Sequence, residues 1–502
     1  MTLAIVHSRA VSGISAYPVT IEVHISSGFP GLGMVGLPET TVKESRHRVR
    51  SAIINAGYDY PSKRMTVNLA PADQPKEGAS FDLAIAIGML AAAGQINPQS
   101  LVGIEFFGEL ALTGQLKAVR GMLPLAIAAH TDQRAVIVPQ ASVAEACLVE
   151  GLCVYAAENL AVVVDHLNQL QRIQPSVGNE PKPTCSAYPC MSEITGQEYA
   201  KRALEVAAAG SHHVLMSGPP GSGKTMLANC LPGILPPMAQ AQAIETASIY
   251  SISSVGFSTA QWGRRPFRSP HHTTSQVAMA GGGSTPKPGE VSLAHQGILF
   301  LDEFPEFQRH VLEVLREPLE SREVHISRAA ATACYPAAFQ LVAAMNPCPC
   351  GYAGDQNKIC RCTPEQIRRY RARLSGPLLD RIDLQLQIDR VPTKQLLQVA
   401  TVDEERSELL QHRVNAAYQR QLMRVGKSNA FLTSKEVQQH CALATAEREL
   451  LETAIDHLNM SMRSVHRVLK VSRTIADLAE CNTIEGEHLS EALGYRGLEF
   501  AY

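Results

Sequence analysis

Short, largely apolar runs alternating with helical segments predict an α/β protein built from several domains. Two runs carry this, HVLMSG at 213–218 and GILFLDE at 297–303, which read as strands of a parallel sheet covered on both faces. A third segment, VTIEVHI at 19–25, alternates apolar and polar residues strictly, as a half-buried strand does. At 502 residues the chain exceeds what one core holds, so roughly two to four domains are expected.

Taken in order, the strand at 19–25 leads into the Gly/Pro-rich turn FPGLGMVGLPE at 29–39. A helix is expected next, with Val42, Val49 and Ile53 on one face and Gly57 at its end. Strands MTVNLA at 65–70 and AVIVP at 135–139, with an apolar helix from Phe81, complete an α+β domain over 1–170. Residues 171–190 are rich in Pro and polar residues and read as a linker. Helices and short buried strands fill 191–395. Residues 396–502 read as a helical domain, with stripes Leu450, Leu451, Ile455, Leu458 and Val465, Leu469, Ile475, Leu478.

Composition narrows the class. The N-terminal MTLAIVHSRA lacks the basic and apolar regions of a secretory signal. The longest apolar run, Leu83 to Ala93, is short of the about 20 residues that span a bilayer. A soluble, cytoplasmic protein without membrane association is expected. Net charge is −2, so no bulk basic character points to nucleic acid. A local run, Arg368, Arg369, Arg371 and Arg373, fits a solvated helix face.

The chemistry begins at GPPGSGKT, Gly218, Pro219, Pro220, Gly221, Ser222, Gly223, Lys224 and Thr225. It satisfies G-x-x-x-x-G-K-[ST] between an expected strand and helix, the context of a P-loop for ATP with Mg²⁺. Glycines let backbone N–H groups curl toward phosphate oxygens, and the helix N-terminus adds positive potential. Lys224 would reach the β- and γ-phosphates, and Thr225 would ligate Mg²⁺. Downstream, ILFLDE ends in Asp302, suited to the Mg²⁺ shell, and Glu303, suited to activating water. The run FQLVAAMN ends at Asn346, whose amide either positions that water or simply forms a turn before Pro347.

Twelve cysteines do not form a disulfide framework in a chain of this size. Four of them cluster as CPC, nine residues, CRC: Cys348, Cys350, Cys360 and Cys362. They could hold a structural Zn²⁺, or be four reduced thiols of a loop. Tight clustering of reactive thiols without a metal invites oxidation, which favours zinc.

The stretch FRSPHHTTSQVAMAGGGSTPKPGEVSLAHQGILFLDE at 267–303, MNPCPC at 345–350 and SGPLLDRIDL at 375–384 resemble the magnesium-chelatase-like AAA+ ATPases. More narrowly, they resemble the YifB/ComM family, over essentially the whole chain. The resemblance implies a P-loop core with a parallel sheet, a C-terminal helical lid, and a ring, usually hexameric, with ATP at subunit interfaces. It implies an arginine finger at Arg381, although an arginine there could also pair with Asp380 or Asp383. It implies a sensor arginine at Arg463, with Arg467 a further candidate. Two β-hairpin insertions are implied, GGGSTPKPGE at 281–290 with Lys287 near its tip and EVHISRAAATACYPAAF at 323–339 with Arg328 near its tip. Cations there could meet DNA phosphates, or be exposed loop residues.

The N-terminal domain is similar to the Lon protease domain. PKEGAS at 75–80 would place the nucleophile at Ser80. GELALTGQLKAVRGML at 108–123 puts Leu123 where the partner lysine belongs, and Lys117 falls too early. A serine nucleophile needs a base within reach, so a proteolytically inactive domain is expected. The resulting expectation is an ATP-driven helicase or branch-migration motor. It would act on branched, single- or double-stranded DNA with recombination proteins during natural transformation. The alternatives are a magnesium-chelatase motor subunit, against which the Lon-like extension argues, and an ATP-dependent protein remodeller.

Overall fold

The computed structural model describes residues 3–36, 40–74, 76, 78–178, 188–283, 286–327, 332–355, 358–392, 406–458 and 460–496. Residues 179–187 of the expected linker lie outside these residues, as do Arg328 and the expected start of the helical domain. The chain divides into two compact units, Met1–Pro183 with Ala243–Trp262 and Thr184–Gln242 with Gly263–Tyr502.

The first unit is built on a seven-stranded sheet. Its strands are β1 (Leu3–Ser12), β2 (Ser15–Ser26), β3 (Gly31–Val35), β4 (Arg64–Ala70) and β5 (Ile104–Phe106), then, after a short hairpin of β6 (Glu109–Leu110) and β7 (Leu116–Lys117), β8 (Ala135–Pro139) and β9 (Val154–Ala157). The order is β3-β4-β2-β1-β5-β8-β9, antiparallel around β2 and parallel from β1 to β9. The alternation read at 19–25 holds, since Val19, Ile21, Val23 and Ile25 face the core. Helix Thr40–Asn55 buries Val42, Val49 and Ile53, and Gly57 follows it at φ +85°. Every residue of helix Asp82–Ala92 is buried, which explains a run with no polar face. Residues 243–262, expected within the central domain, belong to this unit. Ala247, Phe257 and Trp262 close an apolar patch with Leu123, Ile127, Leu148 and Val149.

The second unit holds a five-stranded sheet of β10 (Val214–Ser217), β11 (Phe267–Arg268), β14 (Ile298–Leu301), β17 (Gln340–Met345) and β18 (Leu384–Gln387). The order is β11-β14-β17-β10-β18, all parallel. Intervening in sequence are two antiparallel hairpins, β12 (Gly281–Gly282) with β13 (Lys287–Pro288), and β15 (Glu323–Ser327) with β16 (Thr332–Pro336). β10, β14 and β17 are buried along their whole length, as apolar runs between helical layers require. The C-terminal helices Ser407–Val425, Ser434–His440, Thr445–Leu458, Met462–Leu478 and Gly486–Gly494 do not form a separate unit. Leu410, Val414, Val465, Val468 and Ile475 share one core with Val214, Phe300 and Val342 of the sheet. The stripe Val465 to Leu478 packs inward, whereas Leu450 and Leu458 of the other stripe are exposed.

Candidate nucleotide site and cysteine cluster

β10 delivers the chain to the carboxyl end of the parallel sheet, where α/β proteins bind ligands. There Gly218 turns beneath the end of β18. A Cβ at Gly218 would stand 2.1 Å from the Ile388 carbonyl oxygen, so only glycine fits. Gly221 and Gly223 take φ of +78° and +91°, the left-handed turns that aim backbone N–H groups inward. Gly223 then caps helix Lys224–Cys230. The Ser222 hydroxyl is buried in this cradle with no protein partner.

Lys224 curls back over the loop, and its Nζ donates to the Gly218 carbonyl at 2.7 Å and the Pro219 carbonyl at 3.0 Å. It lies 3.4 Å from Asn346 Oδ1, so the amide at the end of β17 faces the same space. Burial lowers the Lys224 pKa, against the pull of Asp302; a phosphate there would offset that cost. Thr225 Oγ1 donates to Asp302 Oδ2 at 2.9 Å. The hydroxyl and carboxylate are thus side by side, and together they would hold a Mg²⁺ ion. These groups fit a nucleoside triphosphate with its magnesium.

Glu303 sits next in the left-handed region at φ +52°, a conformation costing a non-glycine residue about 1 kcal/mol. Its N–H donates to Asp302 Oδ1 at 2.8 Å. The turn lifts the Glu303 carboxylate off the sheet to His272, whose Nδ1 is 3.1 Å from Oε2. In the sequence His272 stands beside His271 in FRSPHHTT, a pair that carries no catalytic motif of its own. The two rings pack 4.0 Å apart, on the chain between β11 and the β12–β13 hairpin.

The remaining sequence candidates scatter. Arg381 is buried, donates to the Pro377 carbonyl at 2.6 Å and pairs with Glu320 at 2.5 Å, rather than with Asp380 or Asp383. Asp383 instead takes Arg467. Arg463 is exposed at the start of helix Met462–Leu478. Lys287 is exposed on β13. The two hairpins support one another, since Tyr335 of β16 donates its hydroxyl to the Pro286 carbonyl at 2.7 Å. In the first unit Leu123 is fully buried and Lys117 is exposed beside Glu109. The Ser80 hydroxyl has no side-chain base bonded to it among the described residues. Lys76, four residues earlier, is buried and donates to the Pro71 carbonyl.

The four clustered cysteines converge. All are free thiols, Cys348 buried and the others half-buried, with sulfurs within 4.8 Å of one another. Backbone N–H groups of Arg361 and Tyr352 hold the Cys350 thiol down at about 6.

A glycine-shaped phosphate cradle, with a threonine–aspartate pair beside it on a parallel sheet, defines a P-loop nucleotide-site protein. Family models add the branch. The magnesium chelatase subunit ChlI matches residues 190–396, subunit ChlI of Mg-chelatase matches 21–142, and the ChlI C-terminal region matches 404–496. The chain is 50% identical over 501 residues to YifB of Salmonella typhimurium, covering 99% of this chain and 98% of that one. It is also 50% identical over 507 residues to competence protein ComM of Haemophilus influenzae, with the same coverage. Lon protease 2 of Bacillus subtilis is 30% identical over 173 residues, 32% of this chain and 31% of that one. The chain therefore belongs to the YifB/ComM family of magnesium-chelatase-like AAA+ proteins. Because a chelatase-subunit description also matches 21–142, the N-terminal domain does not by itself separate this chain from chelatases. Among the described residues no helix is long and apolar enough to cross a membrane.

Proposed function

We propose that this protein is an ATP-hydrolysing, ring-forming motor that moves branched DNA during recombination in natural transformation. The observation that carries the ATP half is the pairing of Thr225 with Asp302 at 2.9 Å beneath the Lys224 cradle. Gly218 to Thr225 would hold the triphosphate, Thr225 and Asp302 its Mg²⁺, and Mg²⁺ would neutralise charge on the transferred phosphoryl group. Glu303 orients and deprotonates water, Asn346 holds that water toward the γ-phosphate, and Lys224 swings from the Pro219 carbonyl to the phosphates. Arg381 of a neighbouring subunit, released from Glu320, and Arg463 would complete the charge clamp. Zn²⁺ at the four cysteines is the second cofactor of this reading.

The DNA half is supported by the full-length likeness to a competence protein and by Lys287 on a braced hairpin. Contacts of this kind bind the phosphate backbone without reading sequence. A chelatase-like motor is the second reading, favoured by the ChlI matches.

Purified protein and Lys224→Ala should be assayed for DNA-stimulated ATPase and for migration of synthetic four-way junctions. Wild type is expected to turn over ATP faster with DNA and to move junctions. Lys224→Ala should lose at least about 100-fold in turnover. If DNA neither binds nor changes ATP turnover, the DNA-motor reading fails and the chelatase-like one gains.

A further inference from the structure

The cysteine loop has the dimensions of a metal site. Sγ of Cys348 is 3.4 Å from Cys350 and 3.7 Å from Cys360, and Cys350 is 3.6 Å from Cys360. Sulfurs bound at about 2.3 Å to one tetrahedral Zn²⁺ lie about 3.8 Å apart, so the cage needs little relaxation to accept the ion. Backbone N–H groups already point at the sulfurs, Ala353 at Cys348 Sγ (3.3 Å) and Cys362 at Cys360 Sγ (3.4 Å). Such bonds orient thiolate ligands and spread their charge.

This loop also lies against the P-loop. Gly351, at φ +85° between the two cysteine pairs, packs so closely on Pro220 that a Cβ would come 2.7 Å from its Cδ. Arg390 ties the same two segments together. Its guanidinium donates to the Pro220 carbonyl at 3.2 Å and pairs with Asp355 at 3.3 Å. It also covers the Tyr352 ring at 5.6 Å. Gly351, Tyr352 and Asp355 all fall between Cys350 and Cys360, inside the loop that a metal would close.

We propose that Cys348, Cys350, Cys360 and Cys362 bind Zn²⁺ and that the metal braces the P-loop through Gly351, Asp355 and Arg390, so that zinc occupancy sets nucleotide affinity. The second half rests on Gly218–Thr225 being an ATP site. Without the metal, the loop loses its closure, Arg390 loses a fixed Asp355, and Pro220 loses one wall.

The test uses full-length protein purified without chelator, elemental analysis for zinc, and a fluorescent ATP analogue. About one zinc per chain is expected. Stripping it should weaken analogue binding about tenfold, the equivalent of one or two backbone hydrogen bonds. Added Zn²⁺ should restore binding. Cys360→Ser should lose zinc and bind the analogue weakly with or without added Zn²⁺. Arg390→Ala, which leaves all four thiols in place, should keep zinc and still bind weakly. Protein that neither carries nor takes up zinc overturns the metal site. Zinc that binds, with analogue affinity unchanged by its removal and by Arg390→Ala, overturns the brace. Zinc-loaded protein that binds no nucleotide overturns the ATP reading, and the brace with it, and leaves the metal site standing.

Discussion

Glu303 and His272 meet near the edge of the sheet, where the end of β14 approaches the chain that leads into the β12–β13 hairpin. The carboxylate proposed to activate water lies 3.1 Å from a ring nitrogen. We predict that Glu303→Gln lowers turnover about 10²–10⁴-fold with ATP affinity nearly unchanged. His272→Ala should alter kcat while KM for ATP stays within about twofold, because His272 acts on Glu303 and not on the phosphates. A rise in KM equal to the fall in kcat/KM would show that His272 serves binding instead. These residues differed in legibility. Lys224, Thr225, Asp302 and Glu303 could be picked out because each lies in a contiguous motif. His272 could not, because its meaning depends on a carboxylate 31 positions on that only the parallel pairing of β11 with β14 brings near. For Arg381 the alternative to a finger was a pair with the neighbouring Asp380 or Asp383, whereas the fold supplies Glu320.

The elements of the central sheet were legible wherever a strand is buried on both sides, since nothing but an apolar run survives there. Their ends were not. Just before β10, His213 is buried, donates its N–H to Asp383 Oδ2 at 3.1 Å, and accepts from the Leu341 N–H at Nδ1, 3.0 Å away. Burial pushes its pKa down to about 4, with Arg467, His212 and Lys470 adding to the shift and Asp383 opposing it. The unfolded chain then binds a proton near pH 6.5 that the folded chain refuses until about pH 4. Stability from this site is full above pH 6.5 and falls as pH drops toward 4, by up to about 3 kcal/mol. Thermal melts across that window should show the loss. His213→Asn, which keeps an acceptor for Leu341 and cannot titrate, should flatten it. Equal slopes in both proteins would place the titrating group elsewhere.

At the scale of the whole molecule, the shared-site reading predicts complementation between two dead variants. Lys224→Ala and Arg381→Ala, each inactive, should regain activity when mixed, because about a quarter of the interfaces in a randomly mixed ring pair an intact P-loop with an intact finger. No recovery would place both residues in one chain's site. Domain boundaries were the least legible feature. Composition marks linkers, but nothing in residues 243–262 signals that they leave one compact unit for another. Their apolar residues look like those of any core. Trp262, the chain's one tryptophan, stands in that segment, so its fluorescence should report unfolding of the N-terminal unit alone.

That detour gives the chain an order of birth. The N-terminal unit cannot cover Leu123 and Leu148 until residues 243–262 have left the ribosome. By then the P-loop has already been made. At about 5–20 residues per second the wait past residue 183 is on the order of ten seconds. During that interval an apolar surface stands open on a nascent chain. Completion of that patch would then come after the P-loop has been made, and a stall in translation before residue 243 is expected to leave the first unit unfinished.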